Sequence, residues 1–140
     1  MTLYNLIKAL ERIALTQPNI RTAKDGSVYN ILNANPSVKY EAFVVTQNTH
    51  RQDEQFDYYG LTLFIVDRLD DDLETNRLQV QSIAKEQLAN IIRTFCNEYD
   101  IDIPTTTFQT FTERFQDLTA GTYAQLEFVI PVEIQCAEEY

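Results

Sequence analysis

Residues 65–76 read IVDRLDDDLETN and hold five carboxylates: Asp67, Asp70, Asp71, Asp72 and Glu74. Carboxylates this dense suit a metal site, an acid–base centre, or the head of a helix. A calcium loop needs ligands at alternate positions, a glycine at the sixth and a bidentate glutamate at the twelfth. Counted from Asp70, the sixth residue is Thr75 and the twelfth is Gln81, so the loop lacks both its sharp turn and its closing ligand. A mostly hydrated magnesium ion needs only one or two carboxylates, and that reading stays open. The helix-head reading has a definite mechanism. The first turn of a helix exposes unpaired N–H groups and partial positive charge, so Asp71 as cap with Glu74 three residues on would stabilise a helix beginning near residue 73. Arg68 and Arg77 would offset the remaining repulsion. We adopt this third reading.

Other reactive side chains are sparse. His50 is the lone histidine, in a polar link with no nucleophile beside it in sequence, and reads as a solvated loop residue, not a general base. Cys96 and Cys136 form no CxxC and have no histidine near them, which points to reduced core thiols, not to zinc or redox chemistry. Three glycines cannot build a phosphate-cradling loop, and neither GxGxxG nor GxxxxGK[ST] occurs. Phe56, Tyr58, Tyr59, Phe108, Phe111 and Phe115 are better suited to a core or an interface than to stacking bases. The sequence therefore points away from an enzyme, and neither a cofactor nor a metal is expected.

Charge narrows the partners. Residues 1–40 hold five basic and two acidic side chains, whereas 41–140 hold six basic and nineteen acidic. No basic stripe suited to nucleic acid appears. The imbalance suits head-to-tail contact between copies, with the basic start of one against the acidic body of the next. No apolar run is long enough to span a bilayer, and the amphipathic start lacks the basic head of a signal peptide.

The elements that must position these residues follow from periodicity. Leu3, Leu6, Ile7, Leu10, Ile13 and Ala14 make one helical stripe, with Thr2 as cap and Pro18 beyond its end. Asp25-Gly26 signals a turn and Ser27–Leu32 a short strand. VKYEAFVVTQNT (38–49) and QFDYYGLTLFIVD (55–67) predict two strands joined by His50–Glu54. Eleven residues of strand span about 36 Å, against a radius of gyration of about 14 Å for a domain this size, so this hairpin should cross the domain or project from it. A long helix at about 73–99 carries Val80, Ile83, Ala84, Leu88, Ile91, Ile92, Phe95 and Tyr99 on one face. A second hairpin closes the chain: a strand over 105–115, a turn at Gly121, and a strand with Ala124, Leu126, Phe128, Ile130, Val132, Ile134 and Cys136 on its buried face. Pro131 cannot donate to a ladder, which puts that strand at an edge or a bulge. The expectation is a single α+β domain over 1–140: a mainly antiparallel sheet built from two long hairpins, with the N-terminal and long central helices packed on one face.

The amphipathic first helix, the long hairpin, the join FIVDRLDDDLETNRLQVQSIAKEQLANII and the closing TAGTYAQLEFVIPVEIQC together resemble neck and tail-completion proteins of tailed bacteriophages. The likeness is to the tail-terminator-like type of Bacteroides-infecting and crAss-like phages, and it covers about residues 2–136. It implies a structural virion protein, made in the host cytoplasm and mounted in the neck or tail. Such a protein forms a homo-oligomeric ring that joins portal or head to tail and lets DNA pass without sequence-specific binding. On that reading Arg21, Lys24 and Lys39 are candidates for the ring interface, and His50, Arg51, Gln52, Asp53 and Glu54 form a hairpin tip for a neighbouring portal, connector or tail protein. Gln125, Glu127, Glu133 and Gln135 are candidates for the lumen, where carboxylates would repel phosphates. The competing reading is an acidic monomeric module that mimics DNA and inhibits a host protein. A small-ligand enzyme would need a deep pocket with convergent polar groups.

Overall fold

A computed structural model describes residues 1–33, 39–69, 76–115 and 117–132. In chain order it contains α1 (Leu3–Leu15), β1 (Thr22–Asp25), α2 (Val28–Leu32), β2 (Ala42–Gln52), β3 (Phe56–Arg68), α3 (Arg77–Glu98), β4 (Thr107–Arg114) and β5 (Leu118–Pro131). The strands form one sheet in the order β1-β2-β3-β5-β4, antiparallel except for the β1–β2 pair. The α+β class and the two helices against the sheet are as the periodicity predicts.

The helical layer covers one face. Thr2 caps α1 by accepting from the Asn5 amide at 3.1 Å, and the stripe Leu6, Leu10 and Ile13 is buried against the sheet. On α3 the buried stripe is Val80, Ala84, Leu88, Ile91, Ile92 and Phe95. Ile83 is not part of it and stays 42% exposed, because at 100° per residue it sits about 120° round the helix from the centre of the stripe. Two buried glutamines fix the seating of α3. Gln81 donates to the Phe111 carbonyl and accepts at its own carbonyl from the Thr122 hydroxyl, and Gln87 donates to the Pro18 carbonyl. Arg12 joins the two helices through both Glu98 oxygens, at 2.9 and 3.0 Å. Cys96 lies wholly inside, where burial pushes its thiol up to about 11, as befits an inert core residue.

Three expectations need correction. The short strand is Thr22–Asp25, and residues 28–32 form a helix instead, because Gly26 at φ +133° turns the chain and Ser27 accepts from the Asn30 amide. The long helix begins at Arg77 with Asn76 at its cap position and no acid in its first turn. Asp70, Asp71, Asp72 and Glu74, and with them the expected Asp71–Glu74 cap, lie outside the described residues. Gly121 is inside β5, not at a turn; the chain reverses between Arg114 and Leu118. Pro131 ends β5 beyond its pairing with β4, which stops at Gln125, so there β5 has a neighbour strand on the β3 side alone among the described residues and the proline stands at an edge, as expected.

The start of β2 holds a buried acid. The Glu41 carbonyl accepts from the Arg21 and Thr22 amides, which aligns β1 in parallel. Its side chain is buried, and Oε1 has no partner among the described residues. Burial pushes this carboxyl above the usual carboxylate range; Asp67 adds to the rise and a hydrogen bond with Gln87 opposes it. An acid whose folded-state pKa is raised costs stability above that value, and the cost disappears as the pH falls through it. Glu41→Gln should therefore stabilise the fold by on the order of 1 kcal/mol near pH 8, with the gain vanishing towards pH 4. Urea midpoints of the two proteins across that range would show it; a gain independent of pH would refute the cause.

Candidate functional site

The β2–β3 hairpin is longer and tighter at its tip than its sequence suggests. β2 runs on through His50, Arg51 and Gln52, so the turn is only Asp53, Glu54 and Gln55. Asp53 organises it: its carboxylate accepts from the Gln55 and Phe56 amides, both at 2.8 Å, and from the Tyr58 hydroxyl at 2.9 Å. Those bonds hold the carboxylate below its usual range. Of the five residues predicted as a tip, three are therefore in strand and one is engaged in shaping the turn.

His50 is accordingly a strand residue, not a loop one. It pairs across from Tyr59, with its ring stacked on the tyrosine at 4.4 Å between centroids. Its Nε2 is 2.9 Å from Oδ1 of Asp57, which also accepts from Gln52 Nε2 at 2.9 Å. Asp57 is 0% exposed, and its Oδ2 has no partner among the described residues. Tyr59 donates from its hydroxyl to the Met1 carbonyl. A buried carboxyl thus anchors the imidazole from behind and leaves the ring half-exposed at the margin of the sheet.

The opposite face of the sheet carries a different set. α2 covers one corner, over Leu32, Ala42 and Val66. Beyond it Phe64 stacks on Tyr123 at 5.6 Å and meets Phe111 edge-on. Nearer the hairpin the Arg51 guanidinium lies 3.8 Å from the Tyr58 ring centroid and 3.3 Å from Glu127 Oε1, bridging β2 to β5 across β3. Gln125 is exposed and Glu127 half-buried on this face. Glu133 and Gln135 lie outside the described residues, as does Cys136.

Arg21, Lys24 and Lys39, spread over 19 residues of chain, lie along the same margin of the sheet, as does the exposed Asp25 of β1. Lys24 is on β1, Arg21 just precedes it, and the Lys39 carbonyl accepts from Thr22 Oγ1 at 2.7 Å. All three are exposed along one margin of the sheet, the same side as Arg51. The charged row Arg51–Glu127 and the buried Asp57 escaped the sequence reading, since only the hairpin register brings these residues together. Among the described residues no cluster of three or more His, Cys, Asp or Glu side chains could hold a metal ion, and no helix is long and apolar enough to cross a membrane. No protein-family model matches this chain, and no curated protein matches it in sequence.

Proposed function

We propose that this chain is a structural subunit of a tailed-phage neck or tail, a connector or tail terminator that closes into a ring between head and tail. The observation that carries the reading is the position of Arg21, Lys24 and Lys39 along one margin of the sheet, in a chain whose net charge is −10. A patch and its electrostatic complement then lie on different parts of one surface. That is the requirement for a heterologous, head-to-tail interface, and such interfaces generate rings when the rotation closes. Gln125 and Glu127, on the face away from the long helices, would line a lumen that lets DNA slide without adhering.

Light scattering and negative-stain imaging of the purified chain test the reading. Discrete rings, with a mass several times 16.3 kDa, are expected, together with no retention of duplex DNA. A monomer that displaces DNA from a basic groove on a host enzyme would instead identify an acidic inhibitor and end the ring reading.

A further inference from the structure

β1 and β4 are the outermost strands of the sheet, and each has one open flank. Alternation along the ladders fixes which backbone groups point there. The Val132 amide donates to the Gln55 carbonyl and the Leu69 amide to the Leu118 carbonyl. Even-numbered residues of β5 therefore turn their polar groups to β3, and odd-numbered ones turn theirs to β4. Their partners Gln109, Phe111 and Glu113 point inward, which leaves Phe108, Thr110 and Thr112 facing out. On β1 the Thr22 and Gly26 amides donate inward, to the Glu41 and Val45 carbonyls, so Ala23 and Asp25 face out. Among the described residues no backbone hydrogen bond is made on either open flank. β4 carries no lysine, proline or bulge, the usual guards of an edge, and six of its eight residues are exposed. Such an edge invites a partner strand.

We propose that the outer edge of β4 pairs antiparallel with the outer edge of β1 in the next copy of this chain. The inference rests on the ring reading and names its joint. β1 runs in the sense of β2 and β5, and β4 runs against it. Copies related by rotation about an axis along the strands keep those senses, so β4 meets the next β1 antiparallel. Each copy offers one edge of each kind, the joint is heterologous, and every edge is used when the ring closes.

Side chains fit the same partner. Setting Ala23 of one copy opposite Thr110 of the other, and Asp25 opposite Phe108, engages the outward groups of both edges. Asp25 then comes beside Lys85, whose ammonium lies 5.4 Å from the centroid of the Phe108 ring. In this register Lys24 faces Gln109, and Arg21 faces Thr112, next to Glu113. No like charges stand opposite each other. The helices agree. α1 lies over β1 and α3 chiefly over β5, so α1 and the neighbouring α3 would be two or three strands apart, roughly 10–14 Å, close to helix-packing distance. Leu78 of α3, 69% exposed, lines a hollow of about 290 Å³ beside Thr110 on that side. Leu15, 52% exposed, ends α1 where the chain leads into β1. Burying Leu78 at the joint gives that exposed side chain a partner. The faces that carry Gln125 and Glu127 then all turn the same way, as a lumen requires.

Two proline variants test this in the full chain, with mass from light scattering as the readout. Thr110→Pro and Asp25→Pro each remove an outward N–H and spare the ladder to the inner neighbour. Circular dichroism and thermal melting verify that each remains folded. Each variant alone should be monomeric where the unmodified chain assembles, and a one-to-one mixture should form dimers through the one intact pair of edges. Assembly of either variant like the unmodified chain, or a mixture that stays monomeric, overturns the proposal while the ring reading stands. An unmodified chain that never assembles overturns both. Should a proline variant fail to fold, Leu78→Glu and Ile83→Glu serve in its place. Both side chains are exposed on α3, but they point about 140° apart round the helix, and only Leu78 is beside β4. Leu78→Glu should weaken association at least about tenfold, and Ile83→Glu should leave it unchanged; equal effects overturn the proposal.

Discussion

Gly121→Ala should be the most damaging small substitution in the protein. A Cβ at this position would stand 1.9 Å from the Ile65 carbonyl oxygen and 3.0 Å from Phe111 Cζ. The first of these is backbone in the central strand β3, whose own ladders to β2 and β5 prevent it from yielding. Relief therefore requires β5 to separate from β3 or to shift against it, and either disturbs a sheet whose inner face is the core. We expect a loss of at least about 3 kcal/mol and a fall in melting temperature on the order of 10 °C. Gly26→Ala would be strained by its positive φ but meets only the far end of Ile31, at 3.6 Å, and should lose less. Thermal melts of the two variants side by side decide the matter; a Gly121→Ala protein as stable as Gly26→Ala would show that β5 can move.

The same residue shows what a sequence conveys and what it hides. Glycine is the strongest local turn signal, so Gly121 before a run of alternating residues looks like a hairpin turn. Its actual reason is close approach to a strand more than fifty residues earlier, and no local pattern reports that. Where the pattern is set by one face and one solvent boundary, the sequence is legible. The alternation of Ala124, Leu126, Phe128 and Ile130 and the stripe Leu6, Leu10 and Ile13 are both buried as their periods require. Thr22–Asp25 was missed because TAKD has little intrinsic preference for a strand; it becomes one by pairing with β2. The acids expected at the head of α3 lie outside the described residues, and the helix is described from Arg77. Of the candidate site, the three basic residues of the margin were named from charge alone. The partnership of His50 with Asp57 depends on a hairpin register with a bulge, and only the folded register supplies it.

That partnership carries the second large effect. His50→Ala removes one of the two donors on a carboxyl that is entirely buried, leaving Gln52 alone to satisfy it. It also removes the ring that stacks on Tyr59. A half-exposed strand residue would ordinarily lose a few tenths of a kcal/mol on truncation. Here the loss should be about 1–3 kcal/mol, because an unsatisfied buried acceptor carries the full cost of its desolvation. Asp57→Asn supplies the control: the histidine truncation should be milder in that background, and the double-mutant cycle isolates the coupling. Additive effects, measured from urea midpoints, would mean that the bond contributes nothing and that the stacking accounts for the loss.

The place of β5 in the sheet bears on how the protein is made. It is synthesised after β3 and β4, yet it lies between them and pairs with both. Until residue 131 has cleared the ribosome, β3 has a bare flank, β4 has no partner, and the inner surfaces of α1 and α3 have only part of the sheet to close upon. The nascent chain must therefore pass through a stage with an unfilled slot one strand wide in the middle of its sheet. Pairing over long sequence separations is slow, and a slot of that shape accepts the equivalent strand of another chain as readily as its own. Its yield in a producing cell should accordingly be governed by synthesis rate and temperature, more than by the stability of the finished molecule.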